Sequence, residues 1–431
     1  MTGLAQQVAS GAGASRATSV RRLAIFTSHP IQYQAPLFRA LAASGRVSPT
    51  VFFGSRHGLD VAMDTGFGAA FRWDVPLIDG YDHVFLRNVA RRPDVSRFTG
   101  VRVRDIGALL RRGGYDALLV LGWHTAAHVQ AVRAGWRANI PVVIRGESTL
   151  QRSPAGGIGA FVRRSLWLPA RQRLYRAAFE RIDAFLVIGT RNRDYYRSFG
   201  VPEPKFFWAP YGVDNERFAL SEPARTHARA RVRARLGVAP GAIVFASSAK
   251  LIARKRPLDL VDAVATLRRD GVDAHALFIG EGDERAAIVR RAADAGIADA
   301  VAIAGFVNQA ELPAWYAAVD TLVLPSDSRE TWGLVVNEAM AAGCPVVVSD
   351  AAGCAPDLVR EGENGFTYPC GDVAALADRL ARIAAVDDAT RRAFGARSRA
   401  IVDAFAIDVA AEGTAAAVEA VSVAAARRGA S

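Results

Sequence analysis

The sequence predicts an α/β protein of two Rossmann-like, doubly wound domains facing each other across a crevice, with a last helix crossing back to the first domain. Three observations carry this expectation. Short apolar runs recur at Leu23–Ser28, Pro49–Phe53, His83–Leu86, Ala117–Leu121, Pro141–Ile144 and Ala184–Ile188, several of them separated by helical stretches, as in a parallel sheet covered on both faces. A second series begins near Gly237, with strands expected at Ala242–Ala249, Leu277–Ile279, Thr321–Pro325 and Pro345–Asp350. The chain, at 431 residues, is also too long for one ordinary core. The expected division is a disordered leader over 1–20, a first domain over 21–215, a basic connector over 216–236, a second domain over 237–405 and a crossing helix and tail over 406–431.

Composition narrows the class. Half of the residues are apolar (51%) and 22% are charged, which is globular rather than disordered. No run of 18 apolar residues occurs, and the leader lacks the apolar stretch of a secretory signal, so the expected location is the cytoplasm. Cys344, Cys354 and Cys370 form no C-x-x-C pair, which suits buried thiols in a reducing compartment. The net charge of +12 favours anionic partners. The Arg-rich connector has no aromatic interleaving and no nucleic-acid motif, so nucleic acid is not expected among them.

In chain order, Leu23–Ser28 leads into His29-Pro30-Ile31-Gln32-Tyr33, with Pro36 placed to start a helix. Ligands of open α/β sheets bind at the carboxyl ends of strands, so His29 and Gln32 are acceptor-side candidates; a helix-capping loop with a structural histidine is the other reading. His124 ends the strand over 117–121. Arg145 and Glu147 follow the next strand. They either hold an acidic group and a hydroxyl of an acceptor or pair with each other and brace the loop. From Phe161 to Arg181, arginines alternate with aromatic and aliphatic residues. That pattern fits an interfacial helix on an anionic membrane surface, or a core-facing helix with solvated arginines. In the second half, Gly280-Glu281-Gly282 is a glycine turn after a strand, and no G-x-G-x-x-G dinucleotide signature accompanies it.

Two carboxylates, Glu330 and Glu338, have seven residues between them. The first lies in a loop at a strand's carboxyl end and the second on the following helix. Each can accept hydrogen bonds from a vicinal diol, and backbone N–H groups of Trp332, Gly333 and Leu334 at the helix start suit a diphosphate. Two sugars joined by phosphate are the parts of a nucleotide-sugar. No D-x-D occurs, so no metal clamp on the diphosphate, and no other cofactor, is expected.

Read whole, Glu330 to Gly365 resembles the donor-binding segment of the family 4 retaining glycosyltransferases, which have the GT-B fold. Their pattern is E-x-F-G-L-x-x-x-E-A-M-A-x-G-x-P-V-V, then S-D-x-x-G and a later N-G; here Trp332 stands in for Phe and the remainder is present. The H-P-I-Q-Y segment resembles the N-terminus of one sub-branch, and Ala209-Pro210-Tyr211-Gly212-Val213-Asp214 resembles the hinge, with Tyr for Asn. The resemblance implies that Glu330 contacts hydroxyls of the transferred sugar and Glu338 the ribose. It further implies that Lys250 (Arg in relatives) and Lys255 contact the diphosphate, that Phe306 and Val307 meet the nucleobase, and that Gly282 belongs to the donor edge. His124 stands near a histidine that contacts the donor sugar in the family, though theirs comes sooner after the preceding Asp; a structural histidine is the alternative. Glu330, His124 and Lys255 are thus the expected catalytic set. The implied activity is metal-independent transfer of a sugar, with retention, to a hydroxyl of a glycan or lipid-linked acceptor. A nucleotide-sugar epimerase and a non-catalytic nucleotide-sugar binder are the rival classes.

Overall fold

A computed structural model of the chain describes residues 20–59, 62–64, 69–71, 73–150 and 168–430. The predicted leader lies outside these except for Val20, as do Arg163 and Arg164 of the Arg/aromatic segment. Side chains of residues 62–64, 69–71, 168–171 and 430 also fall outside the description.

The first domain is a seven-stranded sheet of β1 (Arg21–Thr27), β2 (Val47–Phe53), β5 (Asp82–Phe85), β6 (Ala117–Leu121), β7 (Val142–Arg145), β8 (Ala184–Val187) and β9 (Phe206–Trp208). Its order is β5-β2-β1-β6-β7-β8-β9 and every pairing is parallel. Between β2 and β5 the chain forms a small antiparallel pair, β3 (Ala62–Asp64) and β4 (Ala69–Phe71). The second domain is a six-stranded parallel sheet: β10 (Ile243–Ser248), β11 (Ala274–Ile279), β12 (Val301–Gly305), β13 (Thr321–Leu324), β14 (Val346–Ser349) and β15 (Gly365–Tyr368), in the order β12-β11-β10-β13-β14-β15.

The two-residue period of a strand explains why both faces are covered. On β1, Ala24 and Phe26 join one buried cluster with Leu118, Val120 and the helices Ile106–Gly113 and Ala126–Arg137. Leu23 and Ile25 join the opposite cluster with the helix Ala35–Ala43 and the C-terminal helix Ile407–Ala430. On β10, Val244 and Ala246 face one cluster and Ile243 and Phe245 the other.

The C-terminal helix crosses back, as expected. Ala410, Ala411, Ala415, Val418 and Val421 bury themselves in the first domain, and Arg46 pairs with Glu412 and Glu419 at 2.6 and 2.7 Å. Gly413 is required by close approach, because a Cβ there would stand 1.7 Å from the carbonyl oxygen of Trp208.

One expectation, that all three cysteines are buried, is corrected at Cys370. Beyond Ala184–Val187 the first sheet has one more strand, the three-residue β9 at its edge. The basic connector is a helix, Glu222–Leu236, packed on Leu312–Ala317 of the second domain. Its Arg229 and Arg233 turn inward onto buried Asp320, which also accepts the N–H of Val244 at 2.8 Å; those arginines satisfy a buried carboxylate. The Arg/aromatic stretch yields a helix, Leu168–Glu180, whose Leu174 is 68% exposed while Phe179 is buried. Cys344 and Cys354 are buried, but Cys370 is exposed. Among the described residues, no helix is long and apolar enough to cross a membrane.

Candidate functional site

The carboxyl ends of both sheets point into the crevice between the domains, and two cavities open there. The second-domain cavity, of about 340 Å³, is walled by the end of β10 and the loop after it (Ser248, Lys250, Arg254, Lys255), by Gly280, by Phe306 and Val307, and by Val335 and Glu338 of the helix Leu334–Ala341. Gln32, Tyr33 and Trp73 of the first domain complete it. The first-domain cavity, of about 480 Å³, lies against Thr27 and Ser28, Gly122 to His124, Arg145 to Thr149, Tyr195 and Tyr211, with Thr331 contributed from the second domain.

Backbone crowding shapes the second-domain cavity. Gly280 has φ +150°, and a Cβ on it would lie 1.9 Å from the carbonyl oxygen of Ala249; only glycine lets the turn after β11 close on the basic loop. Gly282 makes the same kind of approach to Leu251 but does not line the cavity. The pocket glycine is therefore Gly280.

Glu338 is 1% exposed and holds two tyrosines. Tyr316 donates to Oε2 at 2.8 Å, and Tyr33, from the other domain, donates to Oε1 at 3.3 Å. Burial raises the carboxyl pKa, while Tyr316, the positive charge of Arg217, Tyr33 and Gln309 oppose that shift. Arg217 donates to Gln309 at 2.8 Å, so the same group of side chains ties the hinge helix Asn215–Phe218 to the second-domain cavity.

Glu330 is ion-paired with Lys255, and both side chains are nearly buried, at 11% and 13% exposure. Lys255 lines the second-domain cavity while Thr331, next to Glu330, lines the first. The pair therefore sits on the seam between the cavities.

In the first-domain cavity, Arg145 and Glu147 do not form an ion pair; Tyr211 stands between them. Its hydroxyl donates to Glu147 at 2.5 Å and its ring lies 5.0 Å from the Arg145 guanidinium carbon. Arg145 is 7% exposed, donates to the carbonyl of Pro210 at 2.8 Å, and leaves its Nε without a hydrogen-bond acceptor. His124 lines this cavity, with its ring 4.7 Å from that of His128. His128 is the structural histidine of the two: it is fully buried between Thr125 and the carbonyl of Leu121.

Several sequence-predicted residues fall elsewhere. Gln32, expected beside His29 at the first strand's end, lines the second-domain cavity; Gln34 lines the first-domain cavity. His29 lines neither. Its Nδ1 lies 2.8 Å from Ser28 Oγ, its ring packs against His57, and burial, helped by His57 and His124, lowers its pKa to about 3, so it is neutral. Trp332 is 3% exposed and packs in the hinge against Phe405 and Tyr211, its indole N–H donating to Asn337 at 2.8 Å. Gly333 begins the helix with φ +107°, and Leu334 belongs to the buried core.

Sequence reading missed the residues that join the domains. Asp357 caps the first-domain helix Thr190–Ser198 by accepting from the N–H of Thr190 at 2.9 Å and from its hydroxyl at 2.6 Å. Arg191 donates to the carbonyls of Asp350 and Ala351. At the other end of the crevice Asp74 accepts the N–H of Ala310 at 3.1 Å. Polar residues scattered over the chain gave no local pattern; only Tyr33 had a signal, as the neighbour of Gln32 in H-P-I-Q-Y.

With this geometry the chain is similar to known proteins in two ways. Residues 228–400, which hold most of the lining of the second-domain cavity, match the family described as Glycosyl transferases group 1. Over 243 residues the chain is 31% identical to the GDP-mannose-dependent alpha-(1-6)-phosphatidylinositol monomannoside mannosyltransferase of Mycobacterium tuberculosis, covering 55% of this chain and 61% of that protein. Over 213 residues it is 34% identical to the D-inositol 3-phosphate glycosyltransferase of Streptomyces scabiei, covering 47% and 46%. The chain thus spans about half to three fifths of the length of these relatives. In fold it is similar to HepE of Anabaena in complex with UDP (TM-score 0.68, 19% identity, 93% of this chain and 100% of that one). It is also similar to sucrose-phosphate synthase of Thermosynechococcus elongatus (TM-score 0.66, 20% identity, 94% and 100%). The architecture is GT-B.

Proposed function

We propose that the protein transfers a sugar from a nucleotide-sugar to a hydroxyl of a glycan or lipid-linked acceptor, as a retaining, metal-independent enzyme of family 4. One observation carries the reading: Lys250, Lys255, Glu330 and Glu338 converge on one crevice at the carboxyl ends of two parallel sheets. One relative named above is GDP-mannose-dependent and the HepE structure holds UDP, which makes GDP- and UDP-sugars the first donors to try.

On this reading Glu338 holds the ribose and the backbone at Phe306 and Val307 meets the base. Lys255 exchanges its Glu330 partner for the donor diphosphate, which frees Glu330 for hydroxyls of the transferred sugar. Negative charge grows on the diphosphate as the glycosidic bond breaks, and Lys250 and Lys255 stabilise it there. The departing phosphate takes the proton of the acceptor hydroxyl, which attacks from the same face; the acceptor occupies the first-domain cavity beside His124, Arg145 and Glu147. Closure of the domains keeps water from intercepting the sugar.

The test is a thermal-shift screen of nucleotide-sugars with and without EDTA, in which a donor at 100 times its Kd adds about 2.7 kcal/mol of stability. One donor standing out, insensitive to EDTA, supports the reading; no shift from any, even with candidate acceptors present, sinks it.

The acceptor's place is the finer part of the proposal. Leu174 is exposed beside Arg173 and Arg176 on the helix Leu168–Glu180, a pattern that suits peripheral contact with an anionic leaflet. Replacing Arg163, Arg164, Arg171 and Arg173 by Gln is expected to release the protein from phosphatidylserine vesicles, read by flotation, and unchanged flotation would end the membrane proposal.

A further inference from the structure

We infer that Trp73, carried by the first domain, contacts the nucleobase and closes the base end of the donor cavity. The inference rests on the nucleotide-sugar reading above and adds to it a residue outside the matched segment.

Trp73 lies in the loop between β4 and β5, far in sequence from the donor wall, yet lines the donor cavity with Phe306, Val307 and Leu312. The two aromatic rings stand 6.3 Å apart at 61°, so the apolar end of the cavity is bounded by two aromatic groups from different domains. Asp74 fixes the loop in this position by accepting the N–H of Ala310. Charge sorts the remainder of the cavity: Lys250, Arg254 and Lys255 gather on the loop after β10, and Glu338 stands on the facing helix. A nucleoside diphosphate laid along this gradient, with its phosphates at the cations and its ribose at Glu338, directs its base towards Trp73 and Phe306. A π-face is what a heterocyclic base stacks on, whichever base it is. Tyr33 donates to Glu338 from the same side, so the first domain meets the nucleoside at two points and nucleoside binding favours the closed crevice.

The experiment compares wild type, Trp73→Ala and Trp73→Phe for binding of GDP, UDP and inorganic diphosphate by calorimetry. Trp73→Ala is expected to lose about 10-fold in affinity for whichever nucleoside diphosphate binds. It should keep wild-type affinity for inorganic diphosphate, which has no base, and Trp73→Phe should recover most of the loss. Equal losses for inorganic and nucleoside diphosphate, or no loss for either, overturn the inference while leaving the donor site standing. A wild-type protein that binds no nucleoside diphosphate overturns the donor reading and this inference together. Retained affinity for inorganic diphosphate also shows that the Ala variant is folded.

Discussion

The donor cavity and the first-domain cavity sit at equivalent ends of two similar sheets but are held together by different means. The donor wall is made of turns and one short helix, where glycine at 280 and 333 sets the path and the charges at 250, 255, 330 and 338 follow from it. The first-domain cavity is made of side chains that stack and donate to one another: Arg145 over Tyr211, Tyr211 to Glu147, and the neighbouring rings of His124 and His128. Backbone geometry constrains sequence locally and leaves a motif; side-chain networks drawn from distant strands do not.

The seam between the cavities offers the largest test. Lys255→Ala is expected to lower kcat by about 10² to 10³-fold, the scale of losing one preorganised charge at a developing anion. Part of any loss comes from leaving Glu330 nearly buried without its partner. The double variant Lys255→Met/Glu330→Gln separates the two effects. It should regain the melting temperature without regaining turnover; recovery of both would make the pair a structural brace only. On the acceptor side, Arg145→Gln should raise the acceptor KM about 10-fold and leave donor hydrolysis, measured without acceptor, unchanged. Equal effects on both reactions would break the division of labour between the cavities.

The third effect is on stability, and its sign differs between the two sides. His29 and His128 have pKa values lowered to about 3 against an ordinary 6.5, so the folded state binds fewer protons than the unfolded one. Their contribution is complete above pH 6.5 and is lost as pH falls towards 3, by up to about 1.4 kcal/mol per pH unit for each group. Glu338 has a raised pKa, so the folded state binds more protons and stability is lost as pH rises from the ordinary carboxylate range through the raised value. Melting curves from pH 4 to 8 should show His29→Gln flattening the acid side and Glu338→Gln the alkaline side. The reverse pairing would refute the assignment of neutral histidine and buried carboxylate.

The sheets were legible because a parallel strand buried on both faces is a continuous apolar run, as in Ala117–Leu121 and Thr321–Leu324. The exceptions, β9, β12 and β15, are edge strands: β9 has only three residues, β12 is half-buried throughout, and β15 has Gly and Thr among its four residues. In the candidate site, Lys255, Glu338 and Phe306, read from backbone motifs, come together at the second-domain cavity. Side-chain direction was not legible. Residues 31–34 form a turn leading into the helix Ala35–Ala43, so positions three apart share a side. Ile31 and Gln34 face the first-domain cavity, and Gln32 and Tyr33 the other. Nothing in the linear order says which pair belongs to which wall until both domains are in place. Trp332 entered the reading by its backbone N–H alone; that its indole packs against Phe405 and Tyr211 and donates to Asn337 had no signal in the linear order.

The C-terminal helix has a consequence for how the molecule is made. During synthesis the face of the first sheet carried by Leu23, Ile25 and Leu119 has only the helix Ala35–Ala43 over it, although all seven strands have been synthesised by Trp208. The missing cover, Ala410 to Val421, is translated after the whole second domain. The domain that begins first therefore finishes last. An apolar face waits through some 200 further residues of elongation, and at about 5–20 residues per second that is an interval of roughly 10–40 seconds in which it is open to chaperones or to another nascent chain.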